Sequence, residues 1–175
     1  VTVKADAYGH GIIPVSRVLV KEGVDYLGVA SIDEGIVLRK AGIKLPVLIL
    51  GPSLPEHVEP IIKYNLTQTV CTEALAVALN NSAKRMHKLA HAHVKVDTGM
   101  GRLGVSLDEA PGLIKKIKCL KYLDLEGIFT HFPLADTDRY FTNNQISAFN
   151  ELISGLAEEG ITFSLKHAAN SMGLI

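Results

Sequence analysis

The residues best suited to chemistry lie in the first eleven positions of the chain. Val1-Thr2-Val3 is a short run of apolar and β-branched residues, which predicts a buried strand that ends on Lys4. A lysine is rarely fully buried without a partner, and burial favours its neutral amine. A neutral amine is a nucleophile that can form a Schiff base with a carbonyl group. Lys4 is therefore a candidate for binding a carbonyl cofactor; the alternative is a strand-end lysine that reaches solvent.

Further polar residues lie at or just after the ends of predicted strands: Tyr8, Lys95, Arg102, His131, Asn170 and Ser171. Each has an ordinary structural alternative. Arg102 could fasten its own loop, His131 could be a hydrogen-bonded core histidine, and the last two could cap a helix. Their joint position is more informative, because the carboxyl ends of the strands carry the active site in parallel α/β folds. The distribution favours an active or cofactor-binding site at that end of the sheet.

Strand-like and helix-like patterns alternate seven times along the chain. Strands are predicted at residues 1–4, 26–30, 46–50, 67–71, 91–96, 125–129 and 162–167. Helices are predicted at residues 11–23, 55–64, 73–82 and 142–159. Another helix ends at Ala41 with Ser31 or Asp33 as its cap, and one more starts between Ser106 and Glu109.

This alternation predicts parallel strands joined by crossover helices. A doubly wound open sheet and a (β/α)8 TIM-type barrel both fit the pattern, but no Gly-x-Gly-x-x-Gly turn supports a dinucleotide-binding sheet. We predict an incomplete barrel with about seven βα units and no eighth strand. Because the chain opens inside a strand and stops soon after the last one, we expect residues 1–175 to be one barrel domain truncated at both ends.

Composition narrows the function classes. The 18 basic and 18 acidic residues cancel, which argues against a nucleic-acid partner. Cys71 and Cys119 form neither a disulfide framework nor a metal-binding spacing, so we expect reduced thiols, a cytoplasmic protein and no metal site. No apolar run reaches the roughly 20 residues that a membrane helix needs.

Four stretches resemble the bacterial alanine racemases. Residues 3–11 (VKADAYGHG) are similar to the pyridoxal-phosphate attachment motif of that family, and residues 95–104 (KVDTGMGRLG) resemble its central loop. Residues 130–132 (THF), 135–136 (AD) and 140–149 resemble its next strand and helix. Residues 167–171 (HAANS) resemble its seventh-strand exit. The resemblance covers the whole chain in order.

The resemblance implies pyridoxal 5'-phosphate as cofactor, a small amino acid as substrate and a homodimer. It also implies a β-rich domain after the barrel. The implied activity is the interconversion of L- and D-alanine, which supplies D-alanine for peptidoglycan. Cofactor-binding roles are implied for Lys4, Tyr8, Arg102, His131, Asn170 and Ser171.

Two lysines have further implied roles. Lys4 matches the lysine that carries the cofactor and acts as the catalytic base on one face of the substrate. Lys95 matches a lysine that is often carbamylated, and the resulting anion would hold Arg102. Without that change, two neighbouring cations would repel each other.

Two family residues have no match here: the second base, a tyrosine of the C-terminal domain from the partner subunit, and an arginine on the eighth strand. We therefore expect residues 1–175 alone to be inactive. One alternative is a serine or broad-specificity racemase of the same family. Another is a non-catalytic pyridoxal-phosphate-binding protein, which would lack the loop pattern that joins Lys95 to Arg102.

Overall fold

The computed structural model describes residues 1–174, in which short parallel strands form one curved sheet. The strands are β1 (Leu27–Val29), β2 (Val47–Ile49), β3 (Thr67–Val70), β4 (Ala90–Asp97), β5 (Val105–Ser106), β6 (Leu123–Phe129) and β7 (Leu165–His167). Their order in the sheet is β1-β2-β3-β4-β6-β7, with β5 paired to β4. Neighbours in space follow chain order, whereas a doubly wound sheet reverses direction at its centre. The predicted incomplete (β/α)8 barrel is therefore confirmed.

Helices connect the strands along one face of this sheet. They are α1 (Lys4–Tyr8), α2 (Ile12–Lys21), α3 (Ile32–Lys40), α4 (Val58–Lys63), α5 (Glu73–Arg85), α6 (Ala110–Lys118) and α7 (Arg139–Glu158), with 3-10 turns at Pro55–His57 and Ser171–Gly173. Of the two predicted caps for α3, the structure uses Ser31, whose hydroxyl accepts a hydrogen bond from the Glu34 amide. No helix within residues 1–174 is long and apolar enough to cross a membrane.

The hydrophobic core lies between the sheet and these helices. Every residue of β1 and β2 is buried, as expected for parallel strands covered on both faces. From the helical side, Ile114 and Ile117 of α6 are fully buried. Each such side chain stabilises the fold by about 1.5–3 kcal/mol. This core fixes the strands whose carboxyl ends carry the polar residues.

Two local predictions were wrong. The predicted first strand is only an isolated parallel bridge between Thr2 and Gly28, and the chain turns into α1 at Lys4. The structure also contains β5, which was not predicted because residues 97–106 have the composition of a loop. β5 is two residues long and pairs with the end of β4, so it is recognised as a strand by this tertiary pairing and not by a sequence pattern.

Candidate active site

The carboxyl end of the sheet gathers the residues that the sequence singled out. Lys4 follows the bridge at Thr2, Lys95 lies near the end of β4, and His131 comes two residues after β6. Asn170 and Ser171 follow β7. Because all these strands are parallel, their exits face the same way. We call this end of the sheet, with the loops that leave it, the rim.

α1 is an unusual turn, since its inner residues are left-handed. Residues 5–8 have φ between 52° and 55°, although none of them is glycine. Such a conformation costs roughly 1–2 kcal/mol per residue. Local hydrogen bonds hold it: the Gly11 amide donates to the Asp6 carbonyl (2.9 Å), and the Ile12 amide donates to the Asp6 carboxylate (2.7 Å). The turn begins with the half-buried Lys4 and ends with the exposed Tyr8.

Glu34 connects α1 to the loop after β1. One of its carboxylate oxygens accepts a hydrogen bond from the Ala5 amide, and the other accepts one from the Ala30 amide, each at 2.7 Å. Both backbone bonds therefore depend on a single side chain in the first turn of α3.

Lys95 is the buried cation of the rim. The residue is 5% exposed, and its Nζ atom lies 5.3 Å from the centre of the Phe129 ring. Burial lowers the pKa of Lys95 below its usual value, and the positive charges of Arg102 and Lys4 lower it further. Lys95 and Arg102 are predicted to be neighbours, and the structure brings them within electrostatic range of each other and brings Lys95 within range of Lys4.

The loop of residues 97–104 carries Arg102 and is organised by one carboxylate. Asp97 accepts hydrogen bonds from the amides of Gly99, Met100 and Gly101 at 2.8–2.9 Å. At Gly104, φ is +133° and an added Cβ would lie 2.5 Å from the Asp97 amide nitrogen. Only glycine fits there without a shift of the backbone. The exposed Arg102 side chain is therefore presented from a loop that is fixed at both ends.

His131 lies on the same rim. Burial lowers its pKa, and the charges of Lys95, Arg102 and Lys4 add to that effect. Its backbone carbonyl accepts a hydrogen bond from Gln145 of α7. The histidine is half-buried, and a neutral imidazole is favoured among these cations.

Asn170 acts as a cap, as one of the structural alternatives proposed. Its side-chain oxygen accepts a hydrogen bond from the Gly173 amide, and its side-chain nitrogen donates to the Phe132 carbonyl, both at 2.9 Å. These bonds tie the turn after β7 to the exit of β6. Ser171, the first residue of that turn, is exposed at the rim.

A polar network that the sequence analysis missed lies inside the sheet, on the amino-terminal side of Lys95. Glu126 of β6 is its centre, bonded to the hydroxyls of Tyr26 and Thr67 and lying 3.5 Å from nitrogens of His91 and His93. Burial alone would raise the pKa of Glu126, but its contacts with the two histidines and Tyr26 hold it well below the usual range. The signal in the sequence was the alternation of polar residues in HAHVKV, which places His91, His93 and Lys95 on one face of β4.

The network continues toward β7. His93 Nδ1 and His167 Nε2 are 2.9 Å apart, and the His167 ring stacks on Phe129 with a centroid distance of 4.6 Å. Desolvation, followed by the charge of His93, lowers the pKa of His167 to about 4. His167 is therefore neutral near pH 7. Because Phe129 also contacts Lys95, the interior network ends against the rim.

The rim and the network differ in charge. The rim collects Lys4, Lys95 and Arg102, which suits an anionic ligand such as a phosphate ester. The network holds His91, Asp124 and Glu126, whose ligand atoms lie within 4.8 Å of one another. Contact with Glu126 raises the pKa of His91, which favours the protonated form of this histidine between two carboxylates.

Known proteins share both the sequence and the fold of this chain. Over 174 residues, the chain is 44% identical to the alanine racemase of Halothermothrix orenii, covering 99% of this chain and 46% of that protein. An alanine racemase structure from Clostridium difficile 630 has a TM-score of 0.96 at 42% identity, with 99% of this chain and 48% of that chain covered. A second structure of that enzyme is a complex with cycloserine.

Another solved structure, a histidine racemase from Leuconostoc mesenteroides subsp. sake, has a TM-score of 0.88 at 26% identity, covering 99% of this chain and 46% of that one. The chain thus spans about half the length of the relatives it matches. A family model described as the N-terminal domain of alanine racemase matches residues 1–175. The chain therefore belongs to the alanine racemase N-terminal domain family.

Proposed function

We propose that the polypeptide containing this chain interconverts L-alanine and D-alanine with pyridoxal 5'-phosphate as cofactor, and that residues 1–175 are its cofactor-binding barrel domain. In this proposal the enzyme works in the cytoplasm as a homodimer and supplies D-alanine for peptidoglycan. The observation that carries the proposal is the rim, where the charges of Lys4 and Arg102 both act on Lys95 and His131. The alanine racemases among the relatives support the choice of reaction.

The residues of the rim fit the proposed cofactor. Its phosphate and phenolic oxygens are anionic, and the positive charges of Lys4 and Arg102 act together on Lys95 at the rim. Arg102 would donate to the phenolic oxygen, while the exposed hydroxyls of Tyr8 and Ser171 would bind the phosphate. Asn170 would hold the turn that presents Ser171, and His131 would contribute a polar contact beside the ring.

Racemisation removes a proton from Cα of the amino acid and returns a proton to the opposite face. When bound, pyridoxal phosphate would spread the negative charge that Cα carries between these two steps. Lys4, the first residue of α1, would take or return the proton on one face. We propose that the base for the opposite face lies outside residues 1–175, which is why we expect this segment alone to be inactive.

The test uses the full polypeptide and its Lys4→Ala variant. Pyridoxal phosphate bound through Lys4 should give a visible absorbance band, and L-alanine should be converted to D-alanine. We expect Lys4→Ala to lose the band and to lower racemisation by at least about a thousandfold. Lys21→Ala, which changes an exposed lysine of α2, serves as the control. If Lys4→Ala retained both the band and the activity, the proposed function would be wrong.

A second candidate is a racemase for another amino acid. The histidine racemase with the same fold, at 26% identity, favours keeping this alternative, because one barrel accommodates different substrates. Assays of the full polypeptide with L-alanine, L-serine, L-lysine and L-histidine separate the two candidates. A non-catalytic pyridoxal-phosphate-binding protein would give the visible band without racemising any of them.

A further inference from the structure

We propose that Glu34 is a positioning residue for Lys4, holding the left-handed turn α1 in the conformation that presents the Lys4 amine at the rim. This inference rests on the proposed role of Lys4 as the cofactor-bearing base. The residue acts through the backbone, since it contacts the amide of Ala5 and not the Lys4 side chain.

The geometry uses both carboxylate oxygens of Glu34. Oε1 accepts from the Ala5 amide, the first amide after Lys4, and Oε2 accepts from the Ala30 amide at the exit of β1, each at 2.7 Å. The bridge from Thr2 to Gly28 already pairs the chain before Lys4 with β1. Glu34 therefore fixes the chain after Lys4 to the same strand exit, and the lysine is held from both sides.

A carboxylate is the suitable group at this place. It is an acceptor at both oxygens, whereas the amide of glutamine has one acceptor and one donor group. A glutamine at position 34 would turn its donor group toward a backbone N–H and lose one of the two bonds. An aspartate would be too short by one methylene group to reach both amides.

The left-handed turn explains why such a bond is needed. Ala5, Asp6 and Ala7 have φ of 52–53°, a conformation that residues with a Cβ atom rarely adopt. Without external bonds, the right-handed or extended conformations of these residues are more stable. A strained segment persists where the surrounding structure fixes it, and the Ala5 amide is at its first strained residue. Loss of the bond between the Ala5 amide and Glu34 should therefore release the turn at the point where the Lys4 backbone enters it.

Glu34 also has a structural role at the start of α3, and the test must separate it from the positioning role. Ser31 and Glu34 have the spacing of a capping box at the start of α3. Ser31→Ala removes the cap bond to the Glu34 amide but leaves the carboxylate bond to Ala5 in place. It is the matched control, because both variants weaken the same helix terminus and only Glu34→Gln disturbs α1.

The first measurement is amide hydrogen exchange of the full polypeptide without added cofactor. We expect Glu34→Gln to increase the exchange rate of the Ala5 amide by about tenfold or more, and Ser31→Ala to leave it unchanged. The second measurement is steady-state racemisation with the cofactor bound. We expect Glu34→Gln to lower kcat by about 10- to 100-fold with little change in KM, because Lys4 is displaced while substrate binding remains. Ser31→Ala should keep the parent kcat at a similar thermal stability.

The outcomes distinguish the two proposals. If Glu34→Gln matches Ser31→Ala in Ala5 exchange and in kcat, Glu34 is only a helix cap and the inference is wrong. If Lys4→Ala retains racemisation, the proposed function fails, whatever the exchange of Ala5 shows. Faster Ala5 exchange with a reduced kcat in Glu34→Gln, together with an inactive Lys4→Ala, supports both.

Discussion

Lys95 occupies a position in the structure that disfavours a protonated amine. Its amine is buried beside Phe129, and the charges of Arg102 and Lys4 disfavour its protonated form. A lysine with a lowered pKa has more neutral amine, which is the form that reacts with carbon dioxide. The reaction forms a nitrogen–carbon bond, releases a proton and leaves a carbamate anion. The repulsion with Arg102 then becomes attraction.

We predict that Lys95 is carbamylated when bicarbonate is present. The protein should gain the mass of one carbon dioxide on Lys95 and lose it on acidification, and a carbon-13 NMR signal from labelled bicarbonate should vanish in Lys95→Arg. Lys118→Arg is the control, since Lys118 also lies over an aromatic ring, with Nζ 5.5 Å from the centre of Phe163. An unmodified Lys95 amine that points away from Arg102 in an experimental map would contradict the prediction.

At the scale of elements, local chemistry predicted most strands and helices but not the turns that carry function. The strands after residue 26 and all predicted helices are present, because buried β-branched runs and apolar stripes report directly on the core. The failures were α1 and β5. A left-handed turn has no pattern of its own, and β5 exists only because Gly104 lets the loop return onto β4.

Gly104 gives a test at this scale. Gly104→Ala should destabilise the protein by about 1–3 kcal/mol, because the new Cβ would meet the Asp97 amide nitrogen at 2.5 Å in a backbone with positive φ. The racemisation proposed for the full polypeptide should fall as well, since the loop that presents Arg102 must shift. Urea unfolding and activity assays of the full polypeptide measure both effects.

Gly112→Ala is the matched control, because Gly112 lies in α6 with no atom within 4 Å of the added Cβ. It should stabilise the protein by about 0.5–1 kcal/mol. The interpretation of the loop is wrong if Gly104→Ala is as stable as Gly112→Ala.

At the scale of the whole molecule, the interior network connects four strands, or the ends of strands, through hydrogen bonds and charged contacts with Glu126. Tyr26 precedes β1, Thr67 begins β3, His93 is in β4 and Glu126 is in β6. The pKa of Glu126 is lowered in the folded state, so its stabilising contribution is present above the ordinary carboxyl pKa and is lost as pH falls. The pKa of His91 is raised, so its contribution is present below the ordinary histidine pKa and is lost as pH rises through the raised value.

We predict that Glu126→Gln lowers the free energy of unfolding at pH 7 by about 1–3 kcal/mol, because buried donors lose a charged acceptor. The variant should also lose less stability than the parent between about pH 5 and pH 3, since one carboxylate no longer has to be protonated. Urea unfolding across this pH range gives both quantities. Glu159→Gln, which breaks an exposed pair with Lys115, should cost less than about 1 kcal/mol. Equal costs for the two variants would show that the network adds nothing beyond a surface pair.

The sequence alone predicted the alternating strands and helices and the polar residues at the strand ends, because both are local patterns in the chain. The strand order of the sheet then excluded the doubly wound alternative and left the incomplete barrel. The sequence also pointed to the family, since the motif around Lys4 and the motif around Arg102 are each an unbroken stretch of residues. Only the tertiary structure revealed the roles of Glu34, Gly104 and Glu126. Glu34 and Glu126 each act on a segment far away in the chain: Glu34 on Ala5, and Glu126 on Tyr26. Such contacts are set by how strands meet in the sheet, and nothing in the local sequence encodes the distance between two atoms that lie 29 or 100 residues apart.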